Sequence, residues 1–335
     1  MTYSTTIQQH FMQRGLKLRG LIVALATGVV EYGKYQAGRL NHLTTLQPDP
    51  MTAAKRNKCN ASHSLVDCSV GPAGTPIKLI AWGDSHIGHW SPLFSAQAEK
   101  RHERILVRVG LTCPPLLGAV PYKKSRGSIE CGKHNDTMIE EIRRIAASGE
   151  LRGVVVSARW NEYQTLQETD PGAMTSWALA DHWKGLGPGG EGGATVGTPP
   201  YDHSGSVKTM EIALTRTVDA LVKLGVRILI IAPVPELYFS GPQCLYLRSE
   251  ADCVVPRDRV EQRRSSTLRV LRSVAADRSQ VRIYDPIDDF CDATTCFTRR
   301  NGVLQYTDHN HASPQKVLAL QPVLEPYLSW LEGAE

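Results

Sequence analysis

Nothing in the 335-residue sequence approaches the roughly 20 consecutive apolar residues of a membrane-spanning helix, and no internal repeat is present. Among the eight cysteines there is no Cys-x-x-Cys, and the one tight pair, Cys291 and Cys296, has no second tight pair to complete a tetrahedral zinc site. Charge of one sign is never concentrated: 38 Lys and Arg are interspersed with 33 Asp and Glu, and the formal net charge is only +5. Without a basic stripe interleaved with aromatics, nucleic acid is not an expected partner. What the chain does have is 41% hydrophobic and 21% charged residues, enough to bury one large globular core with appendages.

The cysteines fall as four sequence-local couples: Cys59 with Cys68, Cys113 with Cys131, Cys244 with Cys253 and Cys291 with Cys296. Their even number and local grouping fit loop-closing disulfides and an oxidising compartment, although sequence alone leaves the connectivity open. The N-terminus agrees with export. Arg14, Lys17 and Arg19 precede the short apolar run Gly20 to Val30, with no acidic residue before it. This is the pattern of a signal sequence or a short anchor whose positive end stays in the cytoplasm; a soluble amphipathic helix is the competing reading. No clear small-residue cleavage site follows. Residues 1–35 are therefore read as an inner-membrane anchor or the remnant of a last membrane helix, which places the remainder in the periplasm or otherwise outside the cytoplasm.

Five aliphatic or β-branched runs stand out: Ile77 to Trp82, Ile105 to Val109, Gly153 to Ala158, Val226 to Ala232 and Val281 to Tyr284. Continuous apolar runs of this length predict strands buried on both faces of a parallel sheet. Helical spacing of apolar residues lies between them, most clearly over His134 to Ala147 and over Val207 to Leu224, the latter stopping at Gly225. Alternating strands and helices predict an α/β fold, a doubly wound α/β/α sandwich around a five-stranded parallel sheet, with ligand sites at the C-terminal edge of the strands. Residues 36–76 are read as a linker or extension and 77–332 as the main domain. The Gly- and Pro-rich stretch 184–206 is read as an insertion after the third strand, either a lid or a tolerated excursion.

Two motifs carry the chemistry. Gly83-Asp84-Ser85-His86 follows the first predicted strand, so Ser85 stands at a strand-to-helix turn beside backbone amides and the positive end of a helix dipole. By itself this also fits a capped helix start. Tyr306-Thr307-Asp308-His309-Asn310-His311 precedes the last helical segment, Lys316 to Leu331. A serine nucleophile needs a base, and the base needs an acceptor that fixes its tautomer. His311 and Asp308, three residues apart on a turn, suit those roles, with His309 as the alternative base. Asp84, His86, His89 and His309 also carry metal-ligand side chains, but nothing makes them converge, and no metal or other cofactor is expected.

Gly83-Asp84-Ser85 near the start of an α/β domain, with Asp308-x-x-His311 near its end, resembles the SGNH (GDSL) hydrolase superfamily, whose fold is flavodoxin-like. Ala81-Trp82-Gly83-Asp84-Ser85-His86, Cys113-Pro114-Pro115, Ala158-Arg159-Trp160 and Pro233-Val234-Pro235-Glu236 resemble, more narrowly, the periplasmic SGNH domain of acyltransferase-three proteins that O-acylate bacterial surface polysaccharides. The resemblance spans residues 55 to 332. It implies Ser85 as nucleophile, His311 as base and acid, Asp308 as its orienter, and the Ser85 amide as one oxyanion donor. Gly110 stands where a second donor belongs; for the third, Asn161 and Arg159 compete, and Arg159 equally suits a structural ion pair. His86 is expected to line the substrate pocket, and Trp160 either to stack on a sugar or to pack in the core. The implied activity is acyl transfer, mostly of acetyl, to a carbohydrate hydroxyl or to water, with a carbohydrate O-acetylesterase or a non-catalytic carbohydrate-binding module as alternatives. The implied partners are a carbohydrate or acyl-ester substrate, the membrane through the N-terminus, and a separate membrane acyltransferase that supplies acyl groups.

Overall fold

The five apolar runs form parallel strands whose successive residues point to opposite faces, both buried in the central strand Gly153–Ser157, while the edge strand Val281–Tyr284 exposes Arg282. The fold was obtained as a computed structural model, which describes residues 68–123, 127–128, 131–164, 178–181 and 203–333. Its main sheet has six strands: β1 (Ser69–Val70), β2 (Ile77–Gly83), β3 (Arg104–Val109), β4 (Gly153–Ser157), β5 (Arg227–Ile231) and β6 (Val281–Tyr284). They lie in the order β1-β3-β2-β4-β5-β6, all parallel except β1, which pairs antiparallel with the β3 edge. This sixth strand falls in the stretch read as linker. At two residues it is too short to carry a periodic signal.

One face of the sheet presents Ile80, Trp82, Leu106, Val154, Val156, Ile228 and Ile230. Against it pack α3 (Cys131–Ala146), α4 (His203–Val222) and α6 (Arg257–Ala275) through Ile139, Ile142, Leu214, Val218 and Leu271. The other face presents Leu79, Ala81, Ile105, Val107, Val155, Leu229 and Ile231 to α2 (Ser91–Arg101) and α8 (Gln321–Glu332), through Leu93, Phe94, Leu324 and Leu328. The result is the expected doubly wound α/β/α sandwich. The last helical segment is two helices, α7 (Pro314–Ala319) and α8, because Pro322 restarts the chain at the first turn of α8.

Chain order along the parallel strands is 2-1-3-4-5, which leaves a topological switch point between the C-terminal ends of β2 and β4. Gly83 closes β2 there. A Cβ on it would stand 1.7 Å from the Ser157 carbonyl, so only glycine permits the two strands to pair to their ends.

Three of the expected cysteine couples are disulfides, Cys113–Cys131, Cys244–Cys253 and Cys291–Cys296. They suit an oxidising, extracytoplasmic setting. Cys59 of the remaining couple, the N-terminal run and most of the Gly-rich stretch lie outside the described residues. Among the described residues no helix is long and apolar enough to cross a membrane.

Candidate active site

Asp84, rather than Ser85, caps the short helix α1 (Ser85–Gly88): its Oδ1 accepts from the His86 amide at 2.7 Å. Its Oδ2 accepts from the Arg159 amide at 2.9 Å and the Tyr163 hydroxyl at 2.7 Å. Asp84 therefore ties the turn after β2 to the turn after β4. Burial pushes its carboxyl above the ordinary range, against these three donors. With capping assigned to Asp84, the Ser85 hydroxyl is left for other chemistry.

That hydroxyl lies 2.8 Å from His311 Nε2, and His311 Nδ1 lies 2.6 Å from Asp308 Oδ2. The loop that carries the last two residues is closed by a bridge between Tyr306 and Ala312 and by the Thr307 amide donating to the His311 carbonyl at 2.9 Å. Inside it, Asp308 Oδ1 accepts from the Asn310 and His311 amides at 2.7 and 2.8 Å. Burial works against ionising Asp308, but the hydrogen bond and charge of His311 and the two amides hold the carboxyl well below its usual range. An ionised Asp308 fixes the proton of neutral His311 on Nδ1 and leaves Nε2 a free acceptor facing Ser85. This is the arrangement a serine nucleophile requires.

Other sequence expectations are redirected. The Gly110 amide, expected as an oxyanion donor, donates to the Gly83 carbonyl at 2.8 Å and so extends the β2–β3 ladder. A Cβ at this position would stand 2.4 Å from the His134 ring, which would have to move aside. Arg159 is the ion-paired residue of the two readings: its guanidinium reaches Glu236 at 2.8 Å and Glu162 at 2.8 Å. Trp160, expected either on a sugar or in the core, is wholly buried in the α3/α4 core, with its indole N–H on the Ile231 carbonyl at 2.9 Å. His86, expected to line the pocket, is 1% exposed and meets Asn310 Oδ1 through Nε2 at 2.9 Å. Burial, with the charges of His311 and Arg159, keeps it neutral far below the usual histidine range. Asn161 sits in the turn Trp160–Tyr163 after β4, fully buried, with neither polar atom of its side chain hydrogen bonded.

Glu236 and Asn310 were given no role from sequence, and His89 was weighed only as a metal ligand. Glu236 is 1% exposed, accepts from Arg159 and pairs with the Arg263 guanidinium at 3.3 Å. Against the upward push of burial, these two cations hold its carboxyl below the ordinary range. Asn310 also meets His309 Nε2 through its amide nitrogen at 2.7 Å. His89, half-buried with both ring nitrogens shielded and unpartnered, lies 5.0 Å from the His86 ring and 6.0 Å from the His311 ring. The sequence signals for these were the segment Pro233-Val234-Pro235-Glu236, whose last residue is the only acidic one, and the segment Tyr306 to His311, which contains Asn310. Among the described residues, no group of three or more His, Cys, Asp or Glu is arranged to hold a metal ion.

Comparison with known proteins adds a family match. A family model described as the SGNH domain fused to AT3 domains matches residues 53–326. Among solved structures, the chain is similar to the periplasmic domain of a lipopolysaccharide acetyltransferase from Salmonella ser. Paratyphi A: 16% identity, 89% of this chain and 96% of that one covered, TM-score 0.48. It is also similar to a candidate platelet activating factor from Streptococcus pneumonia: 13% identity, 90% and 99% covered, TM-score 0.37. No match was found among curated proteins.

Proposed function

We propose that this chain, which belongs to the family of SGNH domains fused to AT3 domains, is an extracytoplasmic serine enzyme that moves acyl groups, chiefly acetyl, onto hydroxyls of a bacterial surface polysaccharide. The family supports an acyl-transfer or esterase role. The observation that carries the reading is the continuous chain from Ser85 Oγ to His311 Nε2 and from His311 Nδ1 to Asp308 Oδ2, at 2.8 and 2.6 Å.

In the proposed cycle, Ser85 Oγ attacks the ester carbonyl of an acyl donor as His311 Nε2 takes its proton. The imidazolium so formed rests on Asp308. His311 returns the proton to the departing alkoxide oxygen, which leaves an acyl-Ser85 ester. A carbohydrate hydroxyl, deprotonated by His311, attacks that ester and regenerates Ser85. With water as acceptor the same steps give an esterase, so acceptor access alone separates the two activities. For the oxyanion we assign the Ser85 amide and the Asn161 side-chain amide. An Asn161 N–H left unpartnered in the protein is a donor available for developing charge, and the loss of one such donor costs about 3 kcal/mol of barrier. The Gly110 amide is already engaged and is left out. We further propose, from the basic-then-apolar N-terminal segment, that the domain is held at the inner membrane and receives acyl groups from a membrane acyltransferase.

The test is labelling by a fluorophosphonate probe and turnover of a chromogenic acetate ester, beside Ser85→Ala. Labelling and turnover that vanish in the variant are expected. A wild-type protein as inert as the variant in both assays would move the reading to a non-catalytic carbohydrate-binding module. Acetyl transfer to polysaccharide fragments, read by mass gain, then separates transferase from esterase.

A further inference from the structure

A single path of hydrogen bonds runs behind the site from one fixed charge. Arg159 extends its Nη2 to within 3.3 Å of His309 Nε2, which also meets the Asn310 side-chain nitrogen at 2.7 Å. Asn310 Oδ1 in turn meets His86 Nε2 at 2.9 Å, and the His86 ring lies 4.8 Å from the ring of His311. Every one of these side chains comes from a segment that carries a proposed reacting group or abuts one.

Resting on the acyl-transfer reading above, we propose that Arg159 is a positioning residue: clamped by Glu236, it sets the direction of the hydrogen bonds through His309, Asn310 and His86 and so fixes the loop carrying Asp308 and His311 against Ser85.

The direction follows from what each group is able to do. A guanidinium only donates, so the His309 nitrogen facing it carries no proton, and neutral His309 is protonated on Nδ1. Burial first, then the Arg159 charge, keeps His309 below the ordinary histidine range and therefore neutral. An unprotonated Nε2 accepts, which orients the Asn310 amide with its NH2 toward His309 and its oxygen toward His86. His86, neutral through burial, must then carry its proton on Nε2 to donate to that oxygen. Each choice forces the next, and none is degenerate.

Glu236 makes the starting point rigid. It receives Arg159 Nε at 3.2 Å and Nη2 at 2.8 Å, a two-pronged contact that fixes the guanidinium plane, while Glu162 takes Nη1 at 2.8 Å. The Arg159 amide meanwhile holds Asp84, which caps the helix bearing Ser85. The segment after Glu236 grips the loop from the other side: the Leu237 amide donates to the His309 carbonyl at 2.7 Å and the Gly241 amide to the Asp308 carbonyl at 2.9 Å. Arg159 thus touches both halves of the site, one through its backbone and one through its side chain, without itself reaching the reacting atoms.

The test combines histidine tautomers, read by long-range 1H–15N correlation on 15N-histidine-labelled protein, with ester kinetics. His309 is expected in the Nδ1–H form and His86 in the Nε2–H form. Arg159→Gln is expected to mix the His309 tautomers and to lower kcat by about 10- to 100-fold with KM nearly unchanged, the scale of a displaced reacting group. Arg159→Lys, still able only to donate, should restore the tautomer and part of the rate. Should Arg159→Gln fail to fold, Glu236→Gln decides. It keeps the size but loosens the charged clamp on the guanidinium, so it should mix the His309 tautomers and lower kcat likewise. A folded variant with kcat within about twofold of wild type, or with an unchanged His309 tautomer, overturns the proposal. A wild type inert toward both the probe and the ester instead defeats the acyl-transfer reading, while the tautomers still decide whether Arg159 sets the loop.

Discussion

Replacing Asp308 by Asn separates chemistry from structure at this site. Asp308 accepts three hydrogen bonds, two from backbone amides on Oδ1 and one from His311 Nδ1 on Oδ2. Asparagine keeps an oxygen for the two amides, so the loop geometry and the fold should survive. Its NH2 group, however, then faces His311 Nδ1, and two donors cannot share that contact. The imidazole must shed the Nδ1 proton and carry it on Nε2, pointing at Ser85 as a donor that cannot take the serine proton. A base locked in the wrong tautomer costs about 10⁴-fold in kcat, or roughly 5.4 kcal/mol at 1.36 kcal/mol per decade. The assay is steady-state turnover of a chromogenic acetate ester, with thermal unfolding measured alongside. A variant that keeps its melting temperature and retains a rate within about tenfold of wild type would refute Asp308 as the group that orients the base.

Trp160→Ala should cost about 3–5 kcal/mol in urea unfolding, the range for truncating a large buried aromatic. A value under about 1 kcal/mol would contradict the core placement of the indole. Glu103, half-buried, has its carboxyl pushed up to about 8 by burial and then by hydrogen bonding with Glu332, from an ordinary value of 4.5. A raised carboxyl gives stability that is fully present below pH 4.5 and lost as pH rises through about 8. Glu103→Gln should therefore gain melting temperature over wild type progressively across that window, and a pH-independent difference would refute the assignment.

The strands were legible because burial on both faces demands unbroken aliphatic runs, and Val154, Val155 and Val156 announce that burial without help from any other segment. Ser85 and the pair Asp308 and His311 were legible as well, since a strand-to-helix turn and an i to i+3 spacing are local facts. His86 was misplaced for the opposite reason. Nothing within its own segment says that Asn310, 224 residues away, will take its ring nitrogen. Arg159 stood undecided between two roles until Glu236, 77 residues on, supplied its partner. Gly110 was read as a donor because its position in sequence suits one, yet its amide completes the ladder to Gly83.

What the sequence determined by itself was the alternation of strands and helices, the family motifs at each end and the grouping of the cysteines into local couples, all of them set by neighbours in the chain. The tertiary structure alone decided where each buried polar group finds its partner. In a doubly wound sheet the turns after β2, β4 and β5 converge on one edge, and which donor meets which acceptor there depends on strand order and register.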